Sequence, residues 1–216
     1  MLDDTAICLV NCHLAAGQTQ TVHRNQDVQT ILGAESLPPG RKADSLSGTF
    51  VCGGDGSMVM DHEICILNGD LNYRIDTMGR DTVVQAIKNK NLQKLLDRDQ
   101  LLLSRRKNPD FRLRDFVEAP IDFLPTYKYD VGTDNYDSSD KRRAPAWCDR
   151  ILTRGDVAIS QQGYRRHEVR VSDHRPVSAS FSIRVKSRQT TAFEDCRLAS
   201  EQRFLAAKRS VADEAK

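Results

Sequence analysis

Asp70 and Asn72 stand two residues apart in the stretch Ile64–Ile75, Ile-Cys-Ile-Leu-Asn-Gly-Asp-Leu-Asn-Tyr-Arg-Ile. A carboxylate beside a neutral amide suits a water-activating base next to a donor for phosphate oxygens. On an extended backbone this spacing points both side chains the same way. Three further polar groups follow apolar runs in the same manner: Asn11 with His13, Asp149 with Arg150, and Asp173 with His174. Each alone is a common way to end a strand. Together they form the pattern of an α/β sandwich that gathers chemically active groups at one rim.

The elements that would hold these groups can be read from hydrophobic patterning. Ala6–Asn11 and the four apolar residues from Ile64 read as strands buried on both faces. Gly69 allows a sharp bend or a close backbone approach at the end of the second strand. Helical spacing appears over Val22–Leu32, with Val28, Ile31 and Leu32 on one face, and again after Asp81, which is a candidate cap for a helix carrying Val83, Val84, Ile87, Leu92, Leu95 and Leu96. Gly33–Gly56 is rich in Gly, Pro and Ser and reads as a surface loop. Phe111–Pro125 reads as an irregular packed connection, and Tyr127–Asp140 as a polar loop. Trp147–Leu152, Val157–Ile159 and Pro176–Val185 read as further strands, the last alternating with period two. From about Ala192 a terminal helix is predicted outside the domain proper, so that residues 1–186 form the domain and 187–216 a helical extension.

Composition sets the bounds. The chain has 216 residues, 39% hydrophobic and 29% charged, with a net charge of +2. That is a globular chain long enough for one real core, and no general nucleic-acid affinity is announced. The six cysteines at 8, 12, 52, 65, 148 and 196 include no Cys-x-x-Cys pair, and several lie in apolar runs, as reduced intracellular cysteines do. No apolar run reaches the length of a membrane-spanning helix. A cytoplasmic protein, peripheral to membranes at most, is the expectation. The sequence says nothing about oligomeric state.

Three segments carry a resemblance. Leu-Asn-Gly-Asp-Leu-Asn-Tyr-Arg, Pro-Ala-Trp-Cys-Asp-Arg-Ile-Leu and Ser-Asp-His-Arg-Pro-Val resemble signature motifs of the inositol polyphosphate 5-phosphatases, of the endonuclease/exonuclease/phosphatase superfamily. Val10-Asn-Cys-His-Leu-Ala-Ala and Pro125-Thr-Tyr-Lys-Tyr-Asp resemble two more, so the match runs from about Thr5 to Val185. The implied fold is a four-layered α/β sandwich, two mostly antiparallel sheets flanked by helices. The implied activity is Mg²⁺-dependent removal of the 5-phosphate from phosphoinositides, inositol polyphosphates or both. Asp70 would orient or deprotonate the water, while Asn72 and His13 donate to phosphoryl oxygens. Asp149 would hold and charge His174, which donates to the scissile phosphate, and Asp173 would belong to the metal-side acidic cluster. Tyr127, Lys128, Lys141 and Arg143 would clasp the neighbouring 4-phosphate through charge-assisted bonds of about 1.5–3 kcal/mol each.

The departures matter too. In the family, a substantial segment precedes the strand matching Ala6–Asn11 and supplies several strands and the magnesium-binding glutamate. Here no glutamate in residues 1–34 fits that role, and Glu35 and Glu63 are the first substitutes to consider. The chain therefore reads as the C-terminal two-thirds of a catalytic domain, N-terminally truncated and impaired. Smaller changes are Cys12 for serine, Gly17 for histidine, Asn68 for an apolar residue and Ala119 for glycine. The rival reading is a non-catalytic fragment that binds phosphoinositide headgroups. A nuclease is disfavoured, because the basic cluster at 141–143 is compact rather than a long groove. Arg105-Arg106-Lys107 reads as a solvated face, or at most a weak contact with acidic lipid.

Overall fold

The computed structural model describes residues 1–40, 50–155, 158–187 and 189–214, the side chains of 213 and 214 excepted. The middle of the loop expected at Gly33–Gly56, Val157 of the strand expected at Val157–Ile159, and residues 188, 215 and 216 of the expected extension lie outside the described residues. The chain divides into two compact units. One is Ala6–Arg184. The other joins Met1–Thr5 to Val185–Lys216, where Asp4 N–H donates to the Lys186 carbonyl at 3.0 Å and a helix runs over Thr190–Glu214.

The larger unit is built on two sheets. Strands β1 (Ile7–His13), β2 (Ile64–Asp70) and β3 (Asp149–Arg154) form one in that order, with β1 parallel and β3 antiparallel to β2. Strands β4 (Ile159–Arg166) and β5 (Val177–Ile183) form an antiparallel pair. The mixed sheet buries Cys8, Cys65, Leu67 and Leu152 against Val28 and Leu32 of helix α1 (Thr21–Gly33) and against Leu113 and Phe116. A second core forms around Trp147, with Ile75, Val83, Ile87 and Leu95; the indole N–H donates to the Phe123 carbonyl at 3.0 Å.

Several sequence expectations are corrected in detail. The helix expected to run from Asp81 through Leu96 is two: α2 (Arg80–Lys88) and α3 (Leu92–Leu96), separated by Lys90 at positive φ and restarted by Asn91, which caps Lys94 N–H. Gly79, rather than Asp81, is the first N-cap, and Asp81 sits inside the first turn, where its charge favours the helix end. Gln161-Gln162-Gly163 is polar enough to hide a strand from hydropathy, yet a bulge there lets β4 pair along β5.

Helix α4 (Gln100–Lys107) begins at Asp99, whose carboxylate caps Leu102 N–H at 3.0 Å. The same carboxylate receives the Arg150 guanidinium at 3.0 Å, and Glu118 takes the other edge of that guanidinium in two bonds of 2.7 Å. Asp99 and Arg150 are fully buried. Burial alone would lower the Arg150 pKa; the two carboxylates outweigh it and raise it well above its ordinary value. Arg150→Met should therefore leave two carboxylates buried without a counter-charge and cost about 3–5 kcal/mol. Urea unfolding checks this, and a loss under about 1 kcal/mol would contradict it.

Candidate active site

Strand register builds the centre of the site. His13 pairs with Asp70, and Asp70 pairs with Asp149, so the last residues of β1 and β2 and the first residue of β3 lie side by side. Residues paired across a ladder point to the same face, which puts one imidazole and two carboxylates in a row. Strands β1 and β2 approach closely there because Gly69, at φ 133°, has no Cβ; one there would lie 2.1 Å from the Cys12 carbonyl oxygen.

Each member of the row has defined partners. His13 is exposed, with Nε2 3.5 Å from Asp70 Oδ2. Asp70 Oδ1 accepts Asn72 N–H at 3.0 Å, and Oδ2 also lies 3.8 Å from His174 Nε2. Burial, and then the Asp149 charge, push the Asp70 carboxyl above its usual pKa, with His174 opposing. A raised carboxyl is a stronger base. Asp149 Oδ2 accepts His174 Nδ1 at 2.9 Å and the Thr126 hydroxyl at 2.6 Å. With Nδ1 committed to Asp149, His174 turns Nε2 toward Asp70 and the open edge. Burial would lower the His174 pKa, but Asp149, Asp70 and Asp173 together raise it.

The loops deliver the remaining groups. Tyr127 forms bridges with both Ala146 and His174, and its ring contacts the His174 ring, at 4.7 Å, and the Arg74 guanidinium, at 4.4 Å. Lys128 Nζ donates to Asp173 Oδ2 at 2.6 Å, which raises the lysine and lowers the aspartate. Lys141 and Arg143 line a cleft of about 860 Å³ together with Arg74, Arg80 and Gln18. Asp137, buried, shapes that loop: its carboxylate accepts Arg143 N–H at 2.7 Å, and its own N–H donates to the Lys128 carbonyl at 2.9 Å.

Of the residues expected from sequence, His13, Asp70, Asp149 and His174 come together, with Tyr127 against His174. Asn72 stands differently. Its φ of 57° ends the extended run, so the alternation with Asp70 does not carry over. Its amide donates to the Leu14 carbonyl at 3.0 Å and accepts Arg74 at 2.6 Å, while Asp70 and Asn72 are tied by an Asx turn. Lys128 pairs with Asp173 and is absent from the lining of the cleft that holds Lys141 and Arg143. Arg150, the neighbour of Asp149 in sequence, is buried on the opposite side of its strand. Glu63 precedes β2, about 20 Å along the strand from Asp70, and Glu35 bridges Met58, so neither joins the row. Thr126, Arg74 and Asp137 were missed. Thr126 lies within the Pro-Thr-Tyr-Lys segment, and the only signal for it was a small hydroxyl ahead of Tyr127.

With this geometry in view, comparison with known proteins defines the class. The sequence profile of endonuclease/exonuclease/phosphatase family 2 matches residues 1–180, and the chain belongs to that family. It is 53% identical over 187 residues to a probable inositol polyphosphate 5-phosphatase of Schizosaccharomyces pombe, covering 86% of this chain and 16% of that protein. It is 39% identical over 186 residues to the type II inositol 1,4,5-trisphosphate 5-phosphatase of Mus musculus, covering 86% and 17%. The crystal structure of the inositol polyphosphate 5-phosphatase domain of SPsynaptojanin, in complex with inositol (1,4)-bisphosphate and calcium ion, matches with a TM-score of 0.72 and 34% identity over 99% of this chain and 56% of that one. The mixed α/β architecture with two sheets is that of this fold. The chain thus spans about a sixth of the length of these curated relatives.

The raised His174 pKa makes a pH prediction. A group raised on folding contributes stability that is full below its unfolded value, near 6.5, and is lost as pH rises through the folded value. Asp149→Asn removes the main partner and lowers that folded value. The gap in melting temperature between wild type and Asp149→Asn should be widest between about pH 5 and 6.5 and narrow above it. A gap independent of pH would assign Asp149 no charge role.

Proposed function

We propose that this chain carries the site of phosphomonoester hydrolysis at the 5-position of phosphorylated inositols, whether phosphoinositides of the phosphatidylinositol 4,5-bisphosphate class, soluble inositol polyphosphates or both. The observation that supports it most is the row His13–Asp70–Asp149 with His174 locked onto Asp149, next to a cleft rich in cations. Relatives named inositol polyphosphate 5-phosphatases are phosphoric monoester hydrolases, which agrees with this chemistry.

In the proposed reaction Asp70, ionised, takes a proton from the attacking water, for which its raised pKa suits it. His174, cationic through Asp149, and the exposed His13 donate to phosphoryl oxygens as charge builds on them. Thr126 holds the Asp149 carboxylate in place. Asn72 contributes by fixing the exit of β1 and the Arg74 guanidinium, and donates its second amide hydrogen to the substrate. Tyr127, Lys128, Lys141 and Arg143 clasp the 4-phosphate; for Lys128 this means exchanging Asp173 for the phosphate. For lipid substrates the chain would act peripherally, at the cytoplasmic surface of a membrane. Among the described residues no helix is long and apolar enough to span a bilayer.

The solved neighbour holds calcium ion, which agrees with a divalent metal in the reaction; Mg²⁺ is the ion we propose. It would supply charge neutralisation at the phosphoryl group. The residues present do not complete its site. Among the described residues no group of three His, Cys, Asp or Glu side chains converges to hold a metal, and Asp173, the expected ligand, is occupied by Lys128. This favours, as a second reading, a headgroup-binding fragment of the catalytic domain, residues 1–186, with 187–216 as a separate extension.

Two measurements test these readings. Residues 1–216 at millimolar Mg²⁺ should release little or no phosphate from inositol 1,4,5-trisphosphate; robust release by a monomer would show that the site is complete within the chain. In a chimera completed with the remaining domain residues of the fission-yeast relative, Asp70→Asn should lower kcat at least about 100-fold with KM little changed. Replacing Lys141 and Arg143 by alanine there should instead impair a 4,5-bisphosphorylated substrate about tenfold more than one lacking the 4-phosphate. Equal losses on both substrates would remove the 4-phosphate assignment.

A further inference from the structure

Away from the catalytic row, α4 and the 3₁₀ turn Arg112–Asp115 border a hollow of about 400 Å³ lined by Leu102, Arg105, Arg106 and Arg114. No carboxylate lines it. Arg105 is half-buried and donates to the Phe116 carbonyl; burial lowers its pKa and the Glu118 charge opposes this only in part, so the fold holds this charge at some cost. Arg106 donates to the Asp97 carbonyl at 3.0 Å. The Arg114 side chain is exposed and, among the described residues, has no hydrogen-bond or ionic partner. None of the three guanidinium groups forms an ion pair among the described residues, and most of the five donors of each remain open.

A simpler account covers part of this. Arg105, Arg106 and Lys107 occupy the last turn of α4, where cations favour the helix dipole. That account does not reach Arg114, which comes from another element and joins the same hollow, while Lys107 and Arg112 do not line it. Like charges converging on one concavity repel each other unless an anion sits between them. Guanidinium groups match the planar, multiple acceptors of a phosphate, and Leu102 adds an apolar wall.

We propose that this hollow is a second, non-catalytic anion site, taking a phosphomonoester presented by a lipid headgroup or by a soluble phosphate. It rests on the arginines alone and stands whether or not the catalytic reading does. The test uses residues 1–216 with Lys141→Ala and Arg143→Ala in place, to weaken the first cleft. One arm measures co-sedimentation with phosphatidylcholine vesicles, with and without phosphatidylinositol 4-phosphate. The other titrates inorganic phosphate by calorimetry. Arg106→Ala with Arg114→Ala should weaken binding about tenfold or more, whereas the charge-matched pair Lys107→Ala with Arg112→Ala should change it less than about twofold. Loss in the vesicle arm alone assigns the lipid as source, and loss in both arms assigns the phosphate group itself; either supports the site. No binding before the arginines are replaced, unchanged binding after, or an equal loss in the charge-matched pair overturns it. Should the double variant melt early, Arg114→Ala alone decides, because its side chain holds nothing else in place.

Discussion

A single buried guanidinium organises this domain. Arg150 faces inward from β3 and binds Asp99 and Glu118, while Tyr164 of β4 donates to Glu118 at 3.0 Å and its oxygen accepts Ile151 N–H at 3.3 Å. The mixed sheet, the start of α4, the connection at 118 and the second sheet all meet on this one charge. Its desolvation is offset only while both carboxylates stay in place, so these elements cannot drift independently. The next residue back, Asp149, points to the other side. The constraint that anchors β3 in the core thereby also fixes the first residue of that strand at the rim.

At the rim, geometry becomes electrostatics. Burial and then the Asp149 charge raise the cost of ionising Asp70, and the neighbouring His174 relieves it. The two carboxylates sit in different settings: Asp149 accepts a hydroxyl and an imidazole, whereas Asp70 accepts a backbone N–H and is pushed up by burial and by the Asp149 charge. Tyr127 couples this row to the cationic cleft, since one ring touches both His174 and Arg74.

The cations fall into two distinct settings. At 141–143 a backbone loop wound on Asp137 presents them, and Arg80 braces it by donating to the Tyr136 and Asp137 carbonyls at 3.2 and 2.9 Å. At 105–114 helix and turn present them around a hollow without a carboxylate. Similar charge runs in sequence thus have different consequences. What separates them is which neighbouring groups are already satisfied.

Apolar runs that end in polar residues marked, from sequence alone, strands over Ala6–Asn11, from Ile64 and over Trp147–Leu152, which overlap the observed Ile7–His13, Ile64–Asp70 and Asp149–Arg154; local motifs pointed to the family. Such signals are local, and a strand's burial is written in its own composition. Register is not, because sliding one strand changes no residue. Only the tertiary structure set His13 beside Asp70 beside Asp149. It alone turned Asn72 away at positive φ, drew Lys128 onto Asp173, buried Arg150, and added Thr126 behind Asp149. Each of those outcomes depends on a partner 23 or more residues distant or on a backbone angle set by packing, and no window of sequence contains either.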